Sequence, residues 1–511
     1  MSDLTVVAKN TEFVTAWGRI RSCWGHLALS TTSVILVYAP LAARRSAWSD
    51  DYPQLESGNF TKLYSDLRPL WGVLHELVFP TNIESLLWIR LIGVLGAGIL
   101  ASYLTYHFIL WGTGRILSVF LGVSICLLPP FHEYLGWATF FSLPWIALLG
   151  GASGLLWIDS RAGGRSGAAV VAFLGILIAL LSYPAGALFC WALLGLRFAA
   201  TRSNLSKIVR EVRLLMVLTV LAGAAAYGTA RVVIELRTID IDPRVGVVSS
   251  ITEGFEKLVW FVTHPVVVAA RVFQIRSPGP IEALITGGPI LLIIIVGFYY
   301  RFPNSRFDRV VSLVVCLFVG SMAMAAHLIS HDNQISYRFM LGLVVVIWVY
   351  LVFAVTTLAE RFIPLVPKEG PTWLLLIQRH SAKIAMAGIL VFGAVGARSN
   401  IDTTFVAPFE SKHQYLEARL ANFDTTHHEQ IIIVNDMTLW PTRPNLGIFS
   451  VVSDLAHPWV VEPNLRLVLA EMDLDISELD IDVYSTLPSP VPGQFILDVR
   501  PYALQLASGR P

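Results

Sequence analysis

Charge is what this sequence has least of. Only 14% of its 511 residues are Asp, Glu, Lys or Arg, where an ordinary soluble domain carries about 25%. That deficit excludes a soluble chain of usual composition. The signs also cancel, 37 basic residues against 36 acidic, for a net charge of +1, so no nucleic-acid partner is implied. Cysteine is scarce too. Cys23, Cys126, Cys190 and Cys316 all lie in apolar segments and read as small buried apolar residues, not a disulfide framework or a metal site. There is no Gly-rich phosphate loop, no HExxH and no CxxC pair. The first stretch, polar for about 20 residues, has no signal-peptide pattern.

What the chain has is apolar length. Hydrophobic residues make up 55% of it, and several uninterrupted runs reach the roughly 20 residues needed to cross a bilayer. Apolar segments at 24–43, 85–108, 115–129, 138–157, 167–182, 185–200, 212–236, 280–300, 310–329, 338–358 and 382–398 give an expectation of about eleven spans. Basic residues order them. Arg19 and Arg21 precede the first span. Arg115, Arg161, Arg197, Arg301 and Arg361 follow the second, fourth, sixth, eighth and tenth. The positive-inside rule then puts the N-terminus in the cytoplasm and, with an odd number of spans, the C-terminus outside. The cytoplasmic loops are short and basic, with no room for a nucleotide-binding domain.

Residues 399–511 change character. They are polar and acidic with strand-like runs such as Glu429–Asp436 and Gln494–Arg500. About 110 residues suffice for a small domain, so the expectation is an all-α polytopic membrane domain, 1–398, and an extracytoplasmic α/β domain, 399–511. Two surface helices are expected as well, in LRPLWGVLHELVFP after Asp66 and within 251–276.

Polar groups gather on the outside face. Asp50 and Asp51, flanked by Trp48 and Tyr52, follow the first span. A carboxylate there can act as a general base, or bind a cation or a sugar hydroxyl. The two rings can stack on a sugar or sit in the interfacial aromatic belt. Against this stands the plain alternative of a solvated acidic loop. Arg68 lies on the same face, and its planar fork suits phosphate oxygens. His331, Tyr337 and Arg338 lie between the ninth and tenth spans, and Arg338 at the head of an apolar helix suits an anion. Arg90 lies inside the second apolar segment, where a charge is functional by default, and Glu133 faces the same side. Lys62 is a weaker candidate of this kind. Snorkelling at headgroup depth is the competing account for these cations.

The stretch WSDDYPQLESG followed by LRPLW, from Trp48 to Trp71, resembles the first loop of GT-C class membrane glycosyltransferases, and in particular the O-antigen-modifying glucosyltransferases of bacteria and their phages. SYPAGALF (Ser182–Phe189) and the Tyr337–Arg338 pair are similar to segments of that group. The resemblance covers about residues 30 to 360, mostly as topology, and does not reach the C-terminal domain. It implies a bacterial inner-membrane enzyme that moves a sugar, a hexose by analogy, from a polyprenyl-phosphate donor to an extracytoplasmic glycan or lipid-linked glycan, with inversion. Asp50 or Asp51 would be the base, with Arg68, Arg338 and Arg90 on the donor phosphate. Trp48, Tyr52, His331, Tyr337 and Glu133 would contact substrate. No cofactor is required, and a divalent cation is optional in this class. A polysaccharide polymerase, a lipid or glycan transporter or flippase, and a non-catalytic scaffold are the competing readings.

Overall fold

The computed structural model describes residues 2–508 except 202–204, 274–279, 303–304, 334, 363–371, 442–452, 475, 477–478 and 490. Helices dominate it, because a backbone away from water satisfies its N–H and C=O groups most locally in a helix. All eleven apolar segments of the sequence lie on helix. Among the described residues six helices are long and apolar enough to cross a membrane: Gly18–Ala42, Leu86–Leu110, Ala138–Ala162, Pro184–Thr201, Tyr337–Phe362 and His380–Leu420. A seventh arises if Arg115–Cys126 and Pro129–Gly136, bent by 53°, count as one span. These helices mark a membrane protein.

Among the described residues, six of the eleven segments, or seven with the bent pair, meet this test. Pro129 and Pro130 remove backbone donors and end Arg115–Cys126 early. Pro184 separates Ser166–Ser182 from the helical run that follows it. Ser166–Ser182 and Ile285–Arg301 are apolar but short. Leu205–Arg237 has 33 residues, about 50 Å of helix, with charges at both ends.

Small and hydroxyl-bearing residues bring the helices together, as is usual where lipid rather than water surrounds them. The first helix meets Leu86–Leu110 through Ser30–Thr105 (2.8 Å) and Thr31–Ser102 (2.6 Å). A Cβ on Gly150 would lie 2.5 Å from the Ala187 carbonyl oxygen, so that crossing requires glycine.

At one end of the bundle the connections converge. Asp242 N–H donates to the Ser65 carbonyl at 3.1 Å, and His331 N–H to Gly246 at 2.8 Å. Val247 bridges Ser330, and Asp51 reaches Thr139. The expected surface helices form as Pro69–Val78 and Ile251–Thr263. The second of these leaves Ile251, Phe255, Leu258 and Val262 exposed along one side.

The C-terminal residues form a three-stranded parallel sheet, order β2-β1-β3, from β1 Gln430–Val434, β2 Asp480–Tyr484 and β3 Gln494–Asp498. Helices Pro458–Glu471 and Arg500–Ala507 supply Leu465, Val468, Leu469 and Tyr502 to its core. The boundary expected at 398/399 falls inside continuous helix: Thr372–Ile401 runs through Asp402–Val406 into Ala407–Leu420. The domain docks on the first loop. Val460 and Leu467 pack with Tyr52, Leu55 and Phe409, and buried Lys412 bonds both Tyr52 and Asp454.

Candidate functional site

A cavity of about 350 Å³ opens where these connections meet. Asp50, Lys62, Asp66, Arg68, Arg244, His327, Asp332 and Arg338 line its polar part. Leu180, Leu188 and a strip of Leu205–Arg237 line the rest. That strip is Thr219, Gly223, Ala226, Tyr227 and Ala230, successive members three or four residues apart along one helix face apart from the adjacent pair Ala226–Tyr227. The cavity thus joins a charged rim to an apolar trough.

Asp50 and Asp51 part company here. Asp50 faces the cavity, and Lys62 Nζ donates to its Oδ1 at 2.8 Å. Burial alone would raise its carboxyl, but the Lys62 ammonium, helped by Arg338 and His457, holds it below the usual carboxylate range. Asp51 is fully buried and does not line the cavity. It accepts from Trp48 N at 2.9 Å, Thr139 N at 2.8 Å and Thr139 Oγ1 at 2.6 Å. Burial raises it to about 6 despite those bonds. Asp51 ties the first loop to the Ala138–Phe140 turn.

Arg68 begins the helix Pro69–Val78. Its guanidinium lies 4.5 Å from the Tyr183 ring centre and 3.4 Å from Asp66. The Tyr183 hydroxyl is buried, on the cavity, and without a hydrogen-bond partner among the described residues. Two backbones ahead of site residues are left-handed without being glycine: Ser49 (φ 44°) before Asp50 and Leu67 (φ 61°) before Arg68. Such conformations cost on the order of 1–3 kcal/mol and cluster at functional sites.

Arg338 heads Tyr337–Phe362 and sits among the Trp137, Phe140 and Phe339 rings, 5.1, 5.1 and 4.7 Å from their centres. Glu133 lies 3.5 Å from it and accepts from Arg338 N–H at 2.8 Å and from Ser336. Tyr134 donates to the Arg338 carbonyl. Glu133 does not line the cavity; it positions Arg338.

Three of the ten residues expected from sequence, Asp50, Arg68 and Arg338, therefore line one cavity. The others lie elsewhere among the described residues. Trp48 is buried against Phe405, at 5.7 Å, and Tyr52 is buried under Lys412, so neither ring is open to a sugar. Arg90 is buried and donates to the carbonyls of Arg44 and Ser46, pinning the loop that follows the first helix. His331 stands 3.9 Å from Glu253 outside the cavity, and Tyr337 is buried. Sequence reasoning passed over Asp66, Arg244 and His327. Arg244 follows a Pro in a loop, and nothing in its local pattern separates it from an ordinary loop cation. No cluster of three or more His, Cys, Asp or Glu placed to hold a metal occurs among the described residues. Comparison with protein-family models gives no match, and comparison with curated proteins gives none.

Proposed function

We propose that this protein is a membrane glycosyltransferase of GT-C type, taking a hexose from a polyprenyl-phosphate donor at the outer face of a bacterial inner membrane. The observation that carries the reading is that a cationic rim, Arg68 and Arg338, an apolar trough along Leu205–Arg237 and the Asp50 carboxylate share one cavity. A phosphate needs the first, a prenyl chain the second and an acceptor hydroxyl the third. In this reading the helices make eleven crossings, so the first loop and the C-terminal domain share one side, as their mutual packing requires.

Asp50 is the base. It takes the acceptor O–H proton as that oxygen forms its bond to the anomeric carbon. The bond from that carbon to the phosphate oxygen breaks, and its electron pair leaves on the lipid phosphate. Attack from the side opposite the leaving group inverts the anomeric centre. Arg68 and Arg338 stabilise the charge that develops on the phosphate, and Tyr183 has a hydroxyl to offer it. Glu133 holds Arg338 in place.

The test is binding of undecaprenyl phosphate to the protein in nanodiscs, read by native mass spectrometry. Charge-assisted contacts contribute about 1.5–3 kcal/mol each, so Arg68→Ala and Arg338→Ala are each expected to weaken binding roughly ten- to hundredfold. Unchanged lipid binding in both variants would remove the proposal.

A further inference from the structure

The C-terminal domain has so far been a neighbour of the site. Its helix Pro458–Glu471 buries Val460 and Val461 completely or nearly so, yet Trp459 beside them remains 46% exposed. The domain core does not need that ring. The His457 imidazole stacks on it, with centres 4.7 Å apart and planes at 26°. Lys62 Nζ stands 5.2 Å from its centre, and the same ammonium is 2.8 Å from Asp50 Oδ1. The indole thus lies one side chain away from the cavity rim.

The placement is fixed by docking. Lys412 joins Asp454, three residues before His457, to Tyr52 in the first loop. Val460 packs under Tyr52 and Leu55, and Arg466 lies 3.9 Å from Glu56. Ring and carboxylate are held on opposing elements that are latched together.

We propose that His457 and Trp459 form the acceptor subsite, holding a neutral hexose unit of the acceptor glycan beside Asp50; this rests on the glycosyltransferase reading. The part of the indole left exposed beside the His457 ring and the Lys62 ammonium is apolar with a negative quadrupole and suits the C–H groups of a pyranose. The imidazole edge and the Asp50–Lys62 pair provide donors and acceptors for its hydroxyls. That pair carries no net charge, which favours a neutral sugar over an acidic one. The donor would enter from the apolar trough and the acceptor from the water side, with Asp50 between them.

The test uses the full-length protein in nanodiscs, an array of neutral and acidic hexose-containing oligosaccharides, and undecaprenyl phosphate in parallel. Wild type is expected to retain neutral glycans. Trp459→Ala should lose at least about tenfold in affinity for them, while Trp459→Phe, which keeps a ring, retains most of it. Both should bind undecaprenyl phosphate as wild type does. If wild type retains no neutral glycan, or if Trp459→Ala binds it unchanged, the subsite proposal falls. If lipid binding is also insensitive to both Arg68→Ala and Arg338→Ala, the glycosyltransferase reading falls with it.

Discussion

At the level of single side chains, two adjacent carboxylates have opposite surroundings. Asp50 faces the cavity beside an ammonium, whereas Asp51 is walled in by three hydrogen bonds. They make different predictions. With Asp50 as base, kcat/KM stays level from neutral pH down to roughly 4, the ordinary carboxylate value, and declines only below it, since the Asp50 carboxyl is held lower still. Were Asp51 the base, the decline would begin near its value of about 6. Stability separates them as well. Asp51→Asn cannot accept from both Trp48 N–H and Thr139, and is expected to lower unfolding stability by about 1–3 kcal/mol; Asp50→Asn should melt like wild type and be inactive. The Asp51 carboxyl sits above its unfolded value, so its contribution is fully present below about pH 4. That contribution is lost as pH rises toward 6. Asp50, Arg68 and Arg338 stand out in the sequence by residue type and loop position, which are local features; that they line one cavity follows only from the fold. The burial of Trp48, Tyr52 and Arg90 is set by residues about 45 to 360 positions away, in the first loop and the tail, and no short pattern carries that.

At the scale of elements, the helix Leu205–Arg237 offers a specific handle. A Cβ added at Gly223 would meet nothing within 4 Å, and Gly223 lines the trough, so the side chain of Gly223→Leu starts in open space there. It is expected to raise KM for the lipid donor several-fold while thermal stability stays within about 1 kcal/mol; an unchanged KM would show that the trough does not hold the chain. Glu133→Gln tests positioning. It keeps an acceptor for Ser336 and loses the charge facing Arg338, so undecaprenyl-phosphate affinity should drop by less than in Arg338→Ala, and acceptor binding should not move. Helix positions were legible because apolar run length is a direct consequence of the bilayer. Their lengths were less so. Pro129 and Pro130 end one helix at the edge of the 115–129 run and the chain bends by 53° there, which hydropathy does not register.

For the whole molecule, the connections that the positive-inside rule assigned to one face are those that meet around the cavity: the first loop, the Glu133 and Tyr183 turns, the segments at Arg244 and Asp332, and the C-terminal domain. The strands of that domain were legible in its strand-like apolar runs, while its docking on the first loop was not, because Lys412 and Asp454 pair only after folding. The central claim is that this face transfers sugar. The measurement that tests it most directly is hexose transfer from a polyprenyl-phosphate-hexose donor in membranes containing the chain, comparing wild type, Asp50→Asn and Arg338→Ala at matched expression. The account predicts transfer by wild type and at least about a hundredfold loss in each variant, in line with removing a base or a transition-state charge partner. Wild-type transfer that survives both substitutions, or no transfer from any such donor, would contradict it.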